Sequence, residues 1–132
     1  MTMSKISFPR QEVLQSLYEL TADITPNRFI TTRPNASGEQ MPEFMLIRIS
    51  QPIYDRGDTY QTTRGQFSIF VRDTQNGLEN TLRLEQLQAE VMALFPIVAE
   101  RYHAKHPILL AGGSDGAGFH SLTIQFSITI LK

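Results

Sequence analysis

The chain has 132 residues, and its twelve Lys and Arg side chains against thirteen Asp and Glu leave a formal net charge of -1. This length predicts a single domain over residues 1–132 with room for a substantial core, and the balanced charge disfavours DNA binding as a main task. The absence of cysteine excludes disulfides, thiolate nucleophiles and cysteine-based zinc sites, and it is typical of a reducing compartment or of a virion assembled without disulfides.

The N-terminal segment predicts an amphipathic helix. Ser7 is a candidate N-cap, Pro9 suits a first helical turn, and apolar residues then recur at helical spacing, which predicts a helix over about 9–21. A short extended piece at 28–32 and a loop rich in Pro, Asn and Gly follow. The segment has no apolar signal-peptide region, so we expect a protein that is cytoplasmic where it is made and has no membrane segment.

The next part of the chain predicts a central strand and a hairpin arm. The run FMLIRIS, residues 44–50, is apolar on both faces and is typical of a strand that is covered on both sides. Pro52 interrupts this strand, residues 55–58 are expected to form a turn, and polar residues lead back to Gly65. An alternating strand then enters the core.

The second half of the chain predicts a helix followed by strands. After the loop TQNGLEN, apolar residues at offsets of three and four predict a helix in ENTLRLEQLQAEVMALF, with Asn76 or Asn80 as its cap and Pro96 after its end. A helical turn could restart in IVAERYHAK, residues 97–105. HPILLAGG is a short apolar strand, and the residues from Phe119 onward alternate apolar and polar, as a strand with one core face does.

This order of elements predicts an α+β fold. We expect a mainly antiparallel sheet with two helices packed on one face and a protruding β-hairpin arm.

The glycine loop AGGSDGAG, residues 111–118, is the first candidate for chemistry. A phosphate cradle needs glycines between a strand and a helix and a lysine behind the last glycine, whereas here a strand begins at Phe119 and no lysine follows. A calcium site needs several oxygen ligands, and the loop supplies one carboxylate, Asp115. We therefore expect a mobile connection between two strands.

The three histidines are the remaining metal candidates. His103 and His106 have the spacing of two ligands on one helical face, although Pro107 disfavours a helix there, and His120 lies beyond the glycine loop. Exposed or hydrogen-bonded histidines are the alternative. A small His-based metal or ligand-binding enzyme module is therefore one rival hypothesis for this chain.

The chain offers no constellation that is typical of an enzyme. No serine lies in a G-x-S-x-G elbow, and Asp55 and Asp58 surround Arg56 as in a solvated hairpin tip. The aromatic residues fall mostly on strand positions expected in the core, not beside Arg and Lys as nucleic acid stacking requires. We expect no catalytic residue, no metal ligand and no cofactor.

The polar hairpin arm is the strongest candidate for a binding surface. Tyr54, Arg56, Tyr60 and Arg64 fall on a segment too polar for a core, and Tyr and Arg are enriched in the hot spots of protein interfaces. A solvated hairpin without a partner is the alternative.

Several features together resemble the tail terminator, or tail completion, proteins of long-tailed bacteriophages and prophages. They are the N-terminal helix, the strand FMLIRI, the arm ending in RGQFSIFVRD, the loop TQNGLEN, the helix LRLEQLQAEVMALFP and the closing DGAGFHSLTIQFSITI. The family has a glycine before a sheet strand, a helix ending in Phe-Pro, and a glycine and aspartate loop before an aromatic residue. The matching positions here are Gly65, Phe95, Pro96, Asp115, Gly116 and Phe119. The segment IVAERYHAKHP is longer than expected of the family.

The resemblance implies a non-enzymatic structural protein that is made in the host bacterial cytoplasm and located in the virion, at the head-proximal end of the tail. Such proteins form a hexameric ring on the tail tube, stop its polymerisation and present the surface for head-tail joining. The implied partners are other copies of this chain, the major tail tube protein and a head completion or connector protein, with DNA only passing through the ring lumen. Another phage neck or tail tube component is the nearest alternative. The expected subunit or tube interface comprises Tyr54, Asp55, Arg56, Asp58, Tyr60, Arg64, Gly113, Asp115 and Gly116.

Overall fold

The computed structural model describes residues 8–34, 41–57 and 59–131 and has an α+β architecture built on one sheet. Its elements in chain order are α1 (Arg10–Leu20), β1 (Arg28–Ile30), β2 (Glu43–Asp55), β3 (Tyr60–Arg72), α2 (Thr81–Met92), β4 (Ile97–Val98), β5 (Tyr102–Ser114) and β6 (Phe119–Leu131). The described strands lie in the order β1-β2-β3-β6-β5-β4. The β1 and β2 strands pair in parallel, and the other neighbours pair antiparallel. The α+β prediction is confirmed.

Both helices pack on the same face of the sheet because each carries one apolar stripe. The buried stripe residues are Val13, Leu14 and Leu17 of α1 and Leu84, Leu87 and Val91 of α2. The strand residues buried beneath them include Ile47, Phe67, Ile69, Ile124, Phe126 and Ile128. Removing each of these large side chains from water contributes about 1.5–3 kcal/mol, so this layer is the main core.

The second helix begins at a cap and is tied to the sheet by a charged pair. Of the two candidate caps the structure uses Asn80, whose Oδ1 accepts a hydrogen bond from the backbone N–H of Arg83 at 3.2 Å. The Arg83 guanidinium donates to both Glu43 carboxylate oxygens at 2.7 and 2.9 Å. These hydrogen bonds raise the pKa of Arg83 above its ordinary value. In the ranges that the structure describes, no helix is long and apolar enough to cross a membrane.

The helical turn predicted in residues 97–105 is wrong. Ile97–Val98 form β4 and pair with β5, which already begins at Tyr102 and is longer than the short strand expected from HPILLAGG. The strand forms because Tyr102 and Ala104 are both buried two residues apart, opposite core residues of β6. This period of two belongs to a strand, and polar residues between the buried positions obscured it in the sequence.

The predicted hairpin arm is present as the end of the β2–β3 hairpin. Pro52 interrupts the pairing but not the strand, because the register shifts between Ser50 and Tyr54 while β2 continues to Asp55. The β6 strand pairs with β3 as far as Tyr60, so the hairpin strands lie within the sheet and do not protrude from it as a long arm. The cap predicted at Ser7, residues 35–40 of the predicted loop and the turn residue Asp58 lie outside the described residues.

Candidate interaction surfaces

The sheet face opposite the helices carries polar side chains over the end that includes the arm. Its β6 residues alternate with the core positions, and they are Thr123, Gln125, Ser127 and Thr129. Exposed cations on this face are Arg48, Arg56, Arg64 and Lys105. The surface is therefore hydrophilic and positively charged although the whole chain has a formal net charge of -1.

Four of the predicted interface residues share this face, at its hairpin end. The Arg56 guanidinium lies 4.8 Å from the centre of the Tyr54 ring, and its Nε donates to Thr62 Oγ1 at 3.0 Å. Tyr54, Arg56 and Arg64 line one shallow depression of about 450 Å³, and Tyr60 follows on the same face of β3, 39% exposed. We call these four residues the arm surface.

The other predicted interface residues that the structure describes lie elsewhere. Asp55 pairs with the buried residue Gln61 and so occupies a helix-side position of the hairpin, away from the arm surface. Gly113, Asp115 and Gly116 lie at the other end of the sheet, around the β5–β6 turn. The structure therefore divides the predicted interface into two separate regions.

The glycine loop connects two strands, as expected, and its first residues belong to β5, so the connection is a short turn. The β5 strand runs to Ser114 and β6 begins at Phe119, and the Asp115 carboxylate accepts backbone hydrogen bonds from Ala117 at 2.7 Å and Phe119 at 3.1 Å. A Cβ at Gly112 would lie 2.3 Å from the Ser121 carbonyl oxygen, so the strands approach closely here. The order strand, turn, strand provides no helix N-terminus for a phosphate.

The Asp115 carboxylate also forms an ion pair with Arg33. Burial on its own would raise the pKa of Asp115, but the hydrogen bonds from Ala117, Arg33 and Phe119 outweigh it and hold the pKa below its ordinary value. The carboxylate is therefore charged at neutral pH and joins the turn to the segment after β1.

A small aromatic cluster covers the second face of the central strand. Phe44 stacks on Phe70 with ring centres 4.5 Å apart, and Phe119 meets Phe44 edge-on at 5.2 Å. The Arg33 guanidinium covers this cluster 4.8 Å from the Phe70 ring centre. The prediction that FMLIRIS is covered on both faces is confirmed for residues 44–47, whereas Arg48 is exposed. The cluster also explains why Phe70 breaks the alternation of its strand.

A groove lies between α2 and β5 on the helix side of the sheet, with a volume of about 490 Å³. Its apolar lining includes Leu84, Leu109 and Leu122, and its acidic lining residues are Glu79 and Glu85. Both glutamates are exposed, and no ion pair within the described ranges involves either of them. We call this site the α2–β5 groove; Gly113 of the predicted interface also lines it.

The outer edge of β5 beside this groove is open over most of its length. The β4 strand pairs only with His103 and Ala104, and past this point no described strand pairs with the outer side of β5. Ile108, Leu109 and Leu110 are 50%, 46% and 40% exposed. The sequence analysis did not predict this surface. A signal was present, because three consecutive apolar residues on a strand cannot all point to the core face, so at least one must lie on the other face.

The three histidines do not meet. His103 pairs with Thr129 of β6 and His120 lies at the start of that strand, nine residues away, or about 30 Å at about 3.3 Å per residue. His106 sits in a bulge of β5 with φ 58°, and His120 hydrogen-bonds Asp73. No group of three metal-ligating side chains occurs among the residues with described positions.

No protein-family model matches the sequence, and no curated protein matches it either. Function must therefore be inferred from the molecule's own surfaces, chiefly the arm surface and the α2–β5 groove with the open edge of β5.

Proposed function

We propose that the protein is a structural virion-assembly protein that caps the head-proximal end of a phage tail tube as a hexameric ring. In that role it ends tube polymerisation and provides the surface for head-tail joining. The single observation that carries the proposal is a pair of unlike exposed surfaces on one sheet: the arm surface, which is rich in Tyr and Arg, and the apolar edge of β5. A ring is built from a heterologous contact, in which two different patches of each subunit meet.

The open edge of β5 supports self-association. Proteins usually protect sheet edges with charges, proline or a covering element, because unpaired backbone groups recruit other chains. Here Ile108, Leu109 and Leu110 stand exposed on such an edge. An assembly that covers this edge removes apolar area from water and satisfies backbone hydrogen-bonding groups at the same time.

The resemblance of the sequence to tail terminators supports the more specific part of the proposal. The N-terminal helix, the β2–β3 hairpin, the second helix and the closing strand occur in the order that the resemblance implies. A formal net charge of -1 also suits a collar through which DNA passes, since the chain as a whole does not attract DNA phosphates.

A tail tube or neck component is the second candidate. It is favoured by the same pair of surfaces, because a heterologous contact that does not close into a ring produces an open tube or filament. A His-based enzyme module is disfavoured by the separation of His103 from His120 along β6.

The test is the oligomeric state of the purified chain, measured by size-exclusion chromatography with light scattering and by electron microscopy. We expect discrete six-membered rings. Replacing Tyr54 and Tyr60 with alanine should raise the ring's dissociation constant at least about tenfold, since removing a hot-spot side chain costs about 1.4 kcal/mol or more.

The matched control is Leu20→Ala, which removes a comparably exposed apolar side chain, 45% exposed, from α1. It should leave rings intact, and circular dichroism should be unchanged in all variants. Open tubes would favour the tube component, and a monomer at high concentration would contradict both candidates.

A further inference from the structure

We propose that the α2–β5 groove receives the arm surface of a second copy of this chain. The inference rests on the ring proposed above and names the two patches that form its repeated contact. The occupant is a hairpin end that carries Tyr54, Arg56, Tyr60 and Arg64, and the receiving site is lined by Glu79, Glu85 and Leu109.

Charge is complementary between the two patches. The acidic lining residues, Glu79 and Glu85, face solvent. The nearest cation of α2, Arg83, is held by Glu43 on the sheet and does not neutralise them. Arg56 and Arg64 are exposed on the arm surface. The contact therefore brings two cations of one copy to two anions of the next.

Shape and polarity are also complementary. The groove combines an apolar lining, including Leu84, Leu109 and Leu122, with acidic residues, and the arm surface combines tyrosine rings with guanidinium groups. Its volume of about 490 Å³ lies within the range of about 300–1,000 Å³ that protein sites use to enclose a small group. Tyrosine and arginine are the residue types that most often anchor such contacts.

The positions of the two patches make the contact intermolecular. The arm surface lies on the helix-free face near Thr129 of β6, and the groove lies on the helix face near Leu122. These residues are seven apart on one strand, or about 23 Å at about 3.3 Å per residue. The arm surface of one copy therefore cannot fill the groove of the same copy. Each copy instead places its arm surface in the groove of one neighbour and receives the arm surface of the other neighbour, as a closed ring requires.

The first experiment reverses charge on each patch separately. R56E/R64E and E79R/E85R should each raise the midpoint concentration of ring assembly at least about tenfold. Mixed in equal amounts, the two variants should form six-membered rings again, with alternating subunits. In such a ring the acidic arm surface of R56E/R64E meets the basic groove of E79R/E85R, and the basic arm surface of E79R/E85R meets the acidic groove of R56E/R64E. The control R10E/R101E makes the same charge change as R56E/R64E, at two exposed positions outside both patches, and should assemble normally.

The second experiment does not depend on the fold tolerating charge reversal. Because the chain has no cysteine, a Tyr54→Cys and Leu109→Cys variant forms only designed disulfides. The variant is oxidised at a protein concentration above its assembly midpoint, which the loss of the Tyr54 ring should raise. Oxidation should then give a ladder of covalent multimers up to the hexamer on a non-reducing gel, since the groove contact places the two sulfurs together between neighbours. A Tyr54→Cys and Leu20→Cys variant should give no ladder.

The outcomes separate this inference from the proposed function. If R56E/R64E and E79R/E85R form rings as readily as the wild type, the groove assignment is wrong and the ring still stands. The same holds if the Tyr54 and Leu109 cysteines give no ladder. A wild-type chain that stays monomeric would overturn the ring and the groove contact together. Loss of rings in both variants, their recovery on mixing and a specific ladder would establish the contact.

Discussion

At the scale of single residues, Gly65 depends on a partner that is distant in the sequence. It lies inside β3 opposite Phe126 of β6, and a Cβ built at Gly65 would come within 2.5 Å of that ring. The Phe126 ring cannot retreat, because Phe67 and Phe95 each lie 5.0 Å from it between ring centres. The glycine therefore makes room for an aromatic core residue.

Gly65→Ala should lower the free energy of unfolding by about 1–3 kcal/mol, because it overpacks a closely filled site. Denaturation by urea, followed by circular dichroism, measures the change. In a double-mutant cycle with Phe126→Leu, we expect the double variant to lose less stability than the sum of the two single variants, since leucine removes the clashing ring atoms. Strict additivity would show that the clash does not involve Phe126.

At the scale of elements, Asp115 connects two parts of the chain that are far apart in sequence. Its carboxylate accepts hydrogen bonds from the β5–β6 turn and pairs with Arg33, which follows β1. Arg33 in turn covers the rings of Phe44 and Phe70. One carboxylate thus holds the turn closed and positions the cation over the aromatic cluster.

Asp115→Asn should lower the free energy of unfolding at pH 7 by about 1–3 kcal/mol, the usual cost of losing a charge-assisted hydrogen bond at a mostly buried site. The pKa of Asp115 in the folded chain lies below its ordinary value of 3.8. Its stabilising contribution is therefore fully present above that value and is lost as pH falls through the folded pKa.

The difference in stability between wild type and Asp115→Asn should consequently shrink as pH falls below about 4. Urea denaturation at a series of pH values measures it, and other titrating groups cancel because both proteins share them. A difference that stays constant down to acid pH would show that the charge of Asp115 contributes nothing.

At the scale of the whole molecule, charges of opposite sign are separated in space. Arg48, Arg56, Arg64 and Lys105 stand on the helix-free face, and exposed glutamates, Glu79, Glu85 and Glu90, stand on and beside α2. A formal net charge of -1 conceals this arrangement. The separation of charge gives the molecule two unlike sides, which suit the head-to-tail assembly that we propose.

Ring assembly should therefore weaken as salt rises. The Debye length falls from about 10 Å at 0.1 M to about 3 Å at 1 M salt, so contacts between exposed Arg and Glu lose strength. We expect the midpoint concentration of assembly, measured by light scattering, to rise several-fold over this range while monomer stability changes little. Assembly that strengthens with salt would show that the apolar edge at Ile108 to Leu110 dominates instead.

The sequence by itself determined the elements whose signal is local. The apolar stripes of α1 and α2 and the alternation of β6 each lie within one short window, and a window contains all the information that a helical or strand period needs. The cap of α2 was narrowed to Asn76 or Asn80, and the structure selected Asn80. Together they were enough for the α+β class. They also indicated Tyr54, Arg56, Tyr60 and Arg64 as exposed, because a polar run bounded by turn residues is poorly suited to a core.

The tertiary structure alone decided features that join distant residues. Residues 102–105 became a strand because β6 offers a pairing edge and a core beside Tyr102 and Ala104, and no local period indicates that partner. The same holds for Arg33 on the aromatic cluster and for the groove between α2 and β5, whose walls come from separate elements. Local periodicity specifies which face of an element is apolar, whereas only packing decides which elements meet and which apolar residues stay exposed.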